Sequence, residues 1–295
     1  MPDHRIPDAQ LREITRSRVY EPEAVVEAAA RRTRAKSPTG SSGKSMIIAA
    51  DHPARGANAV GSEVNAMADR AELLGRIRVA LRRPGVTGIL GTADLLDDLL
   101  LLGELEGMVV IGSMNRAGLA GSVFEIDDRF TGYDAATLEA MGFDGGKMLT
   151  RIALDDSSTP AVLEASARAV NELAGRELVA MIEPFLSHWT QGTLRNDLSP
   201  DAVIRSVTIA SGLGSSSAHT WLKLPAVADI ERVMAATTLP ALLLGGEVTD
   251  RDAALASWAR ALACPNVYGL IVGRSLLYPH DDDVASAVDE AVSLL

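Results

Sequence analysis

The sequence predicts an α/β fold, a (β/α)8 TIM barrel preceded by an N-terminal helical extension. Three observations carry this expectation. From Met46 onward a short apolar run, a polar or glycine-rich loop and a helical stretch follow one another repeatedly. Eight such runs fill a segment of about 250 residues, the usual length of such a barrel. A doubly wound open sheet would place a glycine-rich turn after its first strand. Here that position holds Asp51-His52-Pro53-Ala54-Arg55-Gly56.

The elements follow in order. Residues 1 to about 35 read as helical, with Pro7 and Pro22 near two helix starts and the second helix spanning Glu21 to Arg34. Ser37-Pro38-Thr39-Gly40-Ser41-Ser42-Gly43-Lys44-Ser45 is a turn-rich linker. Residues 1–45 are thus expected to form an extension and linker, and residues 46–295 the barrel. The expected strands are Met46–Ala50, Gly88–Gly91, Met108–Gly112, Lys147–Ala153, Leu178–Glu183, Thr220–Leu224, Ala241–Gly245 and Gly269–Gly273. Helices are expected over Glu63–Arg83, Pro160–Ala174, Asp201–Leu213, Ala226–Ala236, Asp250–Ala263 and Val284–Leu295. The linker ends like a nucleotide-binding P-loop. However, Pro38 stands where that motif needs its first glycine, and a strand follows where it needs a helix.

Composition narrows the function. The chain has 295 residues, 47% of them hydrophobic, and a formal net charge of -11. That balance argues against nucleic acid or an anionic membrane as partner, yet leaves room for a locally basic pocket. The single Cys264 excludes an internal disulfide and a cysteine-rich metal site, and fits a reducing cytoplasm. The charged N-terminus has no signal core, and the longest apolar stretch, near Leu95 to Leu102, is broken by Asp97 and Asp98.

Only four lysines occur: Lys36, Lys44, Lys147 and Lys223. Lys147 and Lys223 fall within strand-like runs. A buried ammonium loses its hydration, so burial and a neighbouring cation lower its pKa and free the amine as a nucleophile. Two strand lysines therefore suggest imine chemistry. In a barrel, functional residues gather at the C-terminal ends of the strands. The polar residues expected there are Asp51, Asn115 with Arg116, Glu183, Lys223, Gly245-Gly246 and Gly273-Arg274. Lys147, Leu149 and Arg151 share one face of their strand, the sequence leaving open which face looks inward.

Each of these residues also has an ordinary structural reading. Lys223 and Glu183 could be solvated strand ends, Lys147 a structural ion-pair partner of Asp51 or Glu183, and Asp51 a turn cap. Gly245-Gly246 could be a plain tight turn and Arg274 a surface residue. His52, His188 and His219 show no metal-ligand spacing and read as packed or hydrogen-bonded.

Short segments then bring a family into view. They are Ala49-Ala50-Asp51-His52-Pro53-Ala54-Arg55-Gly56, Thr131-Gly132-Tyr133-Asp134, Gly146-Lys147-Met148-Leu149 with Asp155-Asp156, Met181-Ile182-Glu183, Leu222-Lys223-Leu224-Pro225 and Gly269-Leu270-Ile271-Val272-Gly273-Arg274. Their order and strand placement resemble the class I (Schiff-base) aldolases, namely the tagatose-bisphosphate aldolase family and the Cgl0159-type aldolase-like proteins of myo-inositol catabolism. The resemblance implies Lys223 as the imine lysine, with Glu183, Lys147 and Asp51 as its catalytic companions. It implies a phosphate site at Gly245, Gly246, Gly273 and Arg274, and Arg55 joins these as a substrate-binding candidate. It implies no metal and no cofactor and a phosphorylated sugar as substrate, and because such barrels usually associate through their outer helices a homo-oligomer is expected. Glu183, among apolar neighbours, would have a raised pKa, and a cationic Lys147 would depress that of Lys223. Within the resemblance, 2-deoxy-5-keto-gluconate 6-phosphate is the first substrate expected, cleaved to dihydroxyacetone phosphate and malonate semialdehyde. Fructose or tagatose bisphosphate and a sulfonated sugar phosphate are alternatives. A sugar-phosphate sensor and a non-imine barrel enzyme are further ones. His52-Pro53 and the segment Pro184-Phe185-Leu186-Ser187-His188-Trp189 depart from the family pattern.

Overall fold

A computed structural model describes residues 4–245 and 251–295. Two helices, α1 (Asp8–Tyr20) and α2 (Ala24–Arg31), precede the first strand. There follow β1 (Ser45–Ala49), α3 (Arg70–Leu81), β2 (Gly88–Gly91), α4 (Ala93–Leu101), β3 (Val109–Ser113), α5 (Ala135–Ala140), β4 (Gly145–Ile152) and α6 (Thr159–Ala174). The second half runs β5 (Val179–Thr190), β6 (Thr193–Asn196), α7 (Pro200–Ser211), β7 (Thr220–Pro225), α8 (Ile230–Met234), β8 (Ala241–Leu244), α9 (Arg251–Leu262), β9 (Val267–Val272), α10 (Arg274–Leu277) and α11 (Val284–Val292). Parallel pairing in the order β4-β3-β2-β1-β9-β8-β7-β5 closes through β4 and β5 into an eight-stranded barrel. The fold is the (β/α)8 barrel that the alternation of strands and helices requires.

Strand alternation divides the apolar residues between two cores. Ile47, Leu90, Ile111, Met181, Leu242 and Ile271 fill the barrel interior. Their neighbours in sequence, among them Met46, Ile48, Val110, Ile182, Leu222 and Leu270, face outward and pack with helix residues such as Leu74, Leu96, Val170, Val207 and Leu277. Each fully buried aliphatic side chain contributes about 1.5–3 kcal/mol. Helix starts are fixed by side-chain caps, with Asp69, Asp134, Ser199 and Asp283 each accepting a backbone N–H three residues on.

The N-terminal segment packs onto this body. Ile6, Ile14 and Ala29 join the outer core, and the Ile6 amide donates to the Ala71 carbonyl at 3.1 Å. The Arg32 guanidinium donates to the carbonyls of Met108 and Gly142. Lys44, the lysine of the P-loop look-alike, donates to the carbonyls of Leu262 and Val267 at 3.0 and 2.6 Å. It thereby places its charge at the C-terminal end of α9, where the helix dipole favours a cation.

Three elements depart from expectation. The helix expected from Glu63 starts at Arg70, because Asp69 caps it there and the preceding residues form turns. The helix expected from Ala226 is cut to Ile230–Met234, with Asp229 in a left-handed conformation at φ 50° before it. The fifth barrel strand, expected to stop at Glu183, continues to Thr190 and turns back as β6. Pro184 does not end it, because the pairing of β5 with β7 has already stopped at Ile182, so no partner on that side needs its missing N–H.

β1 and β9 close the barrel at a tight contact. Gly269 lies at φ 140°, and a Cβ there would sit 2.0 Å from the Ser45 carbonyl oxygen. Only glycine accepts both the angle and the approach. Gly269→Ala is expected to destabilise the protein by about 2–4 kcal/mol, read as a lower denaturation midpoint in urea with the fold retained. An unchanged midpoint would show that the seam tolerates a side chain.

Candidate active site

The strand register brings the expected residues together at the C-terminal end of the barrel. Ser113 pairs with Lys147, and Leu149 with Glu183. Because Met181 points inward, Glu183 does too, and the same alternation turns Lys147, Leu149 and Arg151 toward the interior. Asp51 follows β1 after Ala49 and Ala50, and Lys223 lies on β7, the sixth barrel strand.

These four groups form one line of alternating charge. Lys223 Nζ is 2.9 Å from Glu183 Oε1. Glu183 Oε2 contacts the Lys147 ammonium, which also donates to Asp51 Oδ2 at 3.3 Å. Asp51 in turn pairs with the Arg116 guanidinium and accepts a hydrogen bond from Ser113 Oγ at 3.1 Å. Arg116 Nε donates to the same Ser113 hydroxyl at 2.8 Å. All six residues are buried.

This arrangement sets the protonation tendencies. Burial favours a neutral Glu183, but the adjacent ammoniums of Lys147 and Lys223 outweigh it and hold the carboxyl below the ordinary range. The expected upward shift is thus reversed, because the neighbours that decide it are cations brought from other strands. Burial lowers the Lys223 pKa from the ordinary 10.5, and Arg116 and Arg274 lower it further against the pull of Glu183. Two arginines thus act on Lys223, and the repulsion between Lys223 and Lys147 is felt at Lys147, whose pKa it lowers. Lys147 is pushed well below its ordinary value by burial, then by Arg116.

The line ends in a cavity of about 700 Å³. Among the described residues, seven basic and three acidic side chains line it, so its interior is basic within a chain of net charge -11. Gly245, Gly273 and Arg274 lie at its β8–β9 side. A Cβ on Gly273 would meet the Ala49 carbonyl at 2.2 Å, and one on Gly245 would meet Ser275 Oγ at 3.0 Å. Ser275 Oγ is buried without a hydrogen-bond partner among the described atoms, and Ser275 lines a neighbouring cavity with Tyr278 and His280, not this one. Arg274 reaches the Ala59 carbonyl at 3.4 Å. Gly246 lies outside the described residues. Arg55 lines the cavity but is held by the Gly118 carbonyl at 3.0 Å and Glu125 at 3.3 Å. Glu125 also pairs with Arg151, whose pKa is lowered to about 10 by burial and by Arg55.

Several site residues were not singled out from the sequence. Arg116 was seen only as a strand-end residue, since its partner Asp51 comes from another strand. Ser113 carries no local signal. His52 lines the cavity, with its pKa held well below the ordinary value by burial and by Lys223. Arg195 and Asn196 enter from β6. That hairpin could have been found from Gln191-Gly192 between the β-prone Trp189-Thr190 and Thr193-Leu194. Other motif residues are structural. Asn115 bonds both backbone groups of Leu149, and Asp134 caps α5. Asp156 accepts from the Trp189 indole at 2.7 Å. Among the described residues no group of three His, Cys, Asp or Glu could hold a metal ion.

The fold is shared with solved fructose-1,6-bisphosphate aldolases. A Schiff-base-forming fructose-1,6-bisphosphate aldolase aligns at TM-score 0.62 and 18% identity over 92% of this chain and 99% of its own. An archaeal fructose-1,6-bisphosphate aldolase, with its catalytic Lys covalently bound to the carbinolamine intermediate, aligns at 0.63 and 18% over 92% and 98%. At these identities the likeness establishes the common fold alone. Residues 43–292 match the Cgl0159-like family, and the chain belongs to that family. The crystal structure of Cgl0159 from Corynebacterium glutamicum (Brevibacterium flavum) is 53% identical, with a TM-score of 0.96 over 99% of this chain and 98% of that one. No curated protein matches the chain.

Glu183→Gln would leave two buried ammoniums without their shared counter-charge. We expect it to cost roughly 3–5 kcal/mol at pH 7. The depressed Glu183 pKa means its stabilising contribution is present above its unfolded value of about 4.3 and lost as pH falls through the carboxylate range. The gap between variant and wild type should therefore narrow at acid pH in denaturant titrations. A pH-independent gap would refute this role for Glu183.

Proposed function

We propose that this protein is a carbon–carbon lyase, a metal-independent class I aldolase that cleaves a phosphorylated keto sugar or sugar acid through a Schiff base on Lys223. The observation that supports it is the line Lys223–Glu183–Lys147–Asp51 inside a basic cavity. It supplies a lysine with a lowered pKa, a carboxylate held ionised against it and a second amine beside that carboxylate.

The neutral Lys223 amine adds to the substrate ketone, and loss of water leaves an iminium ion. The iminium draws electrons, so the bond between the α and β carbons breaks and leaves an enamine. Glu183 accepts the proton from the β-carbon hydroxyl as the aldehyde departs, then returns it to the enamine carbon. Water hydrolyses the resulting iminium, releasing the ketone product and the free amine. Lys147 orients substrate hydroxyls, and Asp51 with Arg116 holds Lys147 in place. Gly245, Gly246, Gly273 and Arg274 bind the phosphate, fixing the reacting carbons relative to Lys223.

The substrate proposed first is 2-deoxy-5-keto-gluconate 6-phosphate, giving dihydroxyacetone phosphate and malonate semialdehyde, in inositol catabolism. We place the protein in the cytoplasm and as a homo-oligomer. Its single buried cysteine supports the compartment, and the exposed Val19, Tyr20 and Val26 on its N-terminal helices support the assembly.

Borohydride reduction in the presence of dihydroxyacetone phosphate, followed by intact mass and peptide mapping, tests the reading. A stable adduct is expected on Lys223 and is expected to vanish in Lys223→Met. An adduct on Lys147 would exchange the two lysine roles. No adduct with any ketose phosphate would exclude the imine mechanism. Trapping needs the neutral amine, so its rate should rise with pH and level off below 10.5, the ordinary lysine value, because the folded-state pKa is lowered. A rise that continues past that value would contradict the shift.

A further inference from the structure

The β5–β6 hairpin stands beyond the resemblance on which the aldolase reading draws. β5 extends seven residues past Glu183, and Ser187–Thr190 pairs antiparallel with Thr193–Asn196. Gln191 and Gly192 turn the chain at φ 51° and 75°, the positive angles of a tight two-residue hairpin. Its arms are tied down. The Trp189 indole donates to Asp156, the Asp197 amide to the Leu186 carbonyl at 2.8 Å, and Ser187 Oγ to Asn196 Oδ1 at 2.8 Å. This is a fixed wall of the cavity, and Arg195 and Asn196 stand on it.

The charge on this wall is uncommitted. Arg116 is spent on Asp51, and Arg55 and Arg151 share Glu125. The Arg195 side chain is exposed and, among the described residues, makes no ion pair or hydrogen bond. Asn196 accepts from Ser187, which leaves its NH2 as a donor. A guanidinium and an amide on a rigid wall are donors suited to a carboxylate or phosphate.

Strand order places this wall along the substrate. Around the rim run β9 and β8 with Gly273 and Gly245, then β7 with Lys223, then β5 with Glu183 and the hairpin. On the aldolase reading, the same sequence runs along the sugar. The phosphate lies at the first pair, the ketone at Lys223, the β-carbon hydroxyl at Glu183, and the rest of the aldehyde half lies beyond. We infer that Arg195, with Asn196, binds an anion at the far end of the aldehyde half, so that the substrate is charged at both ends and the departing aldehyde is anionic. This rests on the aldolase reading for the direction of the substrate, but the anion site itself does not.

The test is aldol addition with dihydroxyacetone phosphate as donor and three acceptors of three carbons: malonate semialdehyde, glyceraldehyde 3-phosphate and neutral glyceraldehyde. In wild type, at least one anionic acceptor should have the higher kcat/KM. Arg195→Gln should lower the ratio of anionic to neutral kcat/KM by roughly 10-fold or more, mainly through KM, and Arg195→Lys should restore part of it. Preference between the two anionic acceptors tells a carboxylate site from a phosphate site. A ratio that does not change in Arg195→Gln overturns the inference, as does an equal loss with all three acceptors. Adduct formation on wild-type Lys223 reports on the aldolase reading separately. Should it fail, calorimetric titration of malonate with inorganic phosphate present decides the anion site alone. Binding at least about 10-fold weaker in Arg195→Gln sustains it, and equal or no binding in both proteins removes it.

Discussion

Two ammonium groups buried within reach of one another repel, and each loses its hydration. Lys147 and Lys223 remain at the end of the barrel because Glu183 stands between them with one carboxylate oxygen toward each. The rest of the site is built out from that bridge. Asp51 gives Lys147 a second anion, Arg116 compensates Asp51, and Ser113 fixes the geometry of both. Such a line tolerates little, since removing any member leaves a neighbour charged and unmatched in a dry interior. The line keeps Glu183 ionised, while burial and Arg116 lower the proton affinity of both amines against its pull, the combination that amine attack followed by carboxylate base action requires.

The barrel supplies the precision. Side chains alternate across each strand, so a residue two positions along is again inward, and parallel register brings Ser113, Lys147 and Glu183 onto neighbouring strands at adjoining heights. The apolar layer of Ile47, Leu90, Ile111, Met181 and Leu242 closes the barrel below the charged residues and shuts water out. The cavity above is basic although the chain is acidic. The basic groups converge from six different segments, and most of the acidic ones are spread over the helices and outer loops. A small anionic ligand would therefore be attracted locally without the protein becoming a general polyanion binder.

The hairpin adds what the bare barrel lacks. By running past Glu183, β5 converts a strand end into a wall, and the wall carries a guanidinium over the mouth. Gly245, Gly273 and Arg274 on one side and Arg195 on the other give the cavity two polar ends with the two lysines between them.

The sequence by itself determined the barrel and the place where chemistry gathers. Apolar runs alternating with helical stretches are a local signal, and a charged residue at the end of such a run stands out without any knowledge of its neighbours. Asp51, Glu183 and Lys223 could be picked out for that reason, Lys147 as a lysine within a strand-like run, and the glycines and Arg274 by their position after the last two strands. The tertiary structure decided everything that depends on distance. It turned the face of Lys147 inward and set the direction of the Glu183 shift. It brought Arg116 and Arg274 up to Lys223 as cations that lower its pKa, and carried β5 past Pro184 into a hairpin. Electrostatic shifts fall off over a few ångströms, and the groups that cause them here lie tens to over a hundred residues apart in the chain, as Asp51 does from Lys147.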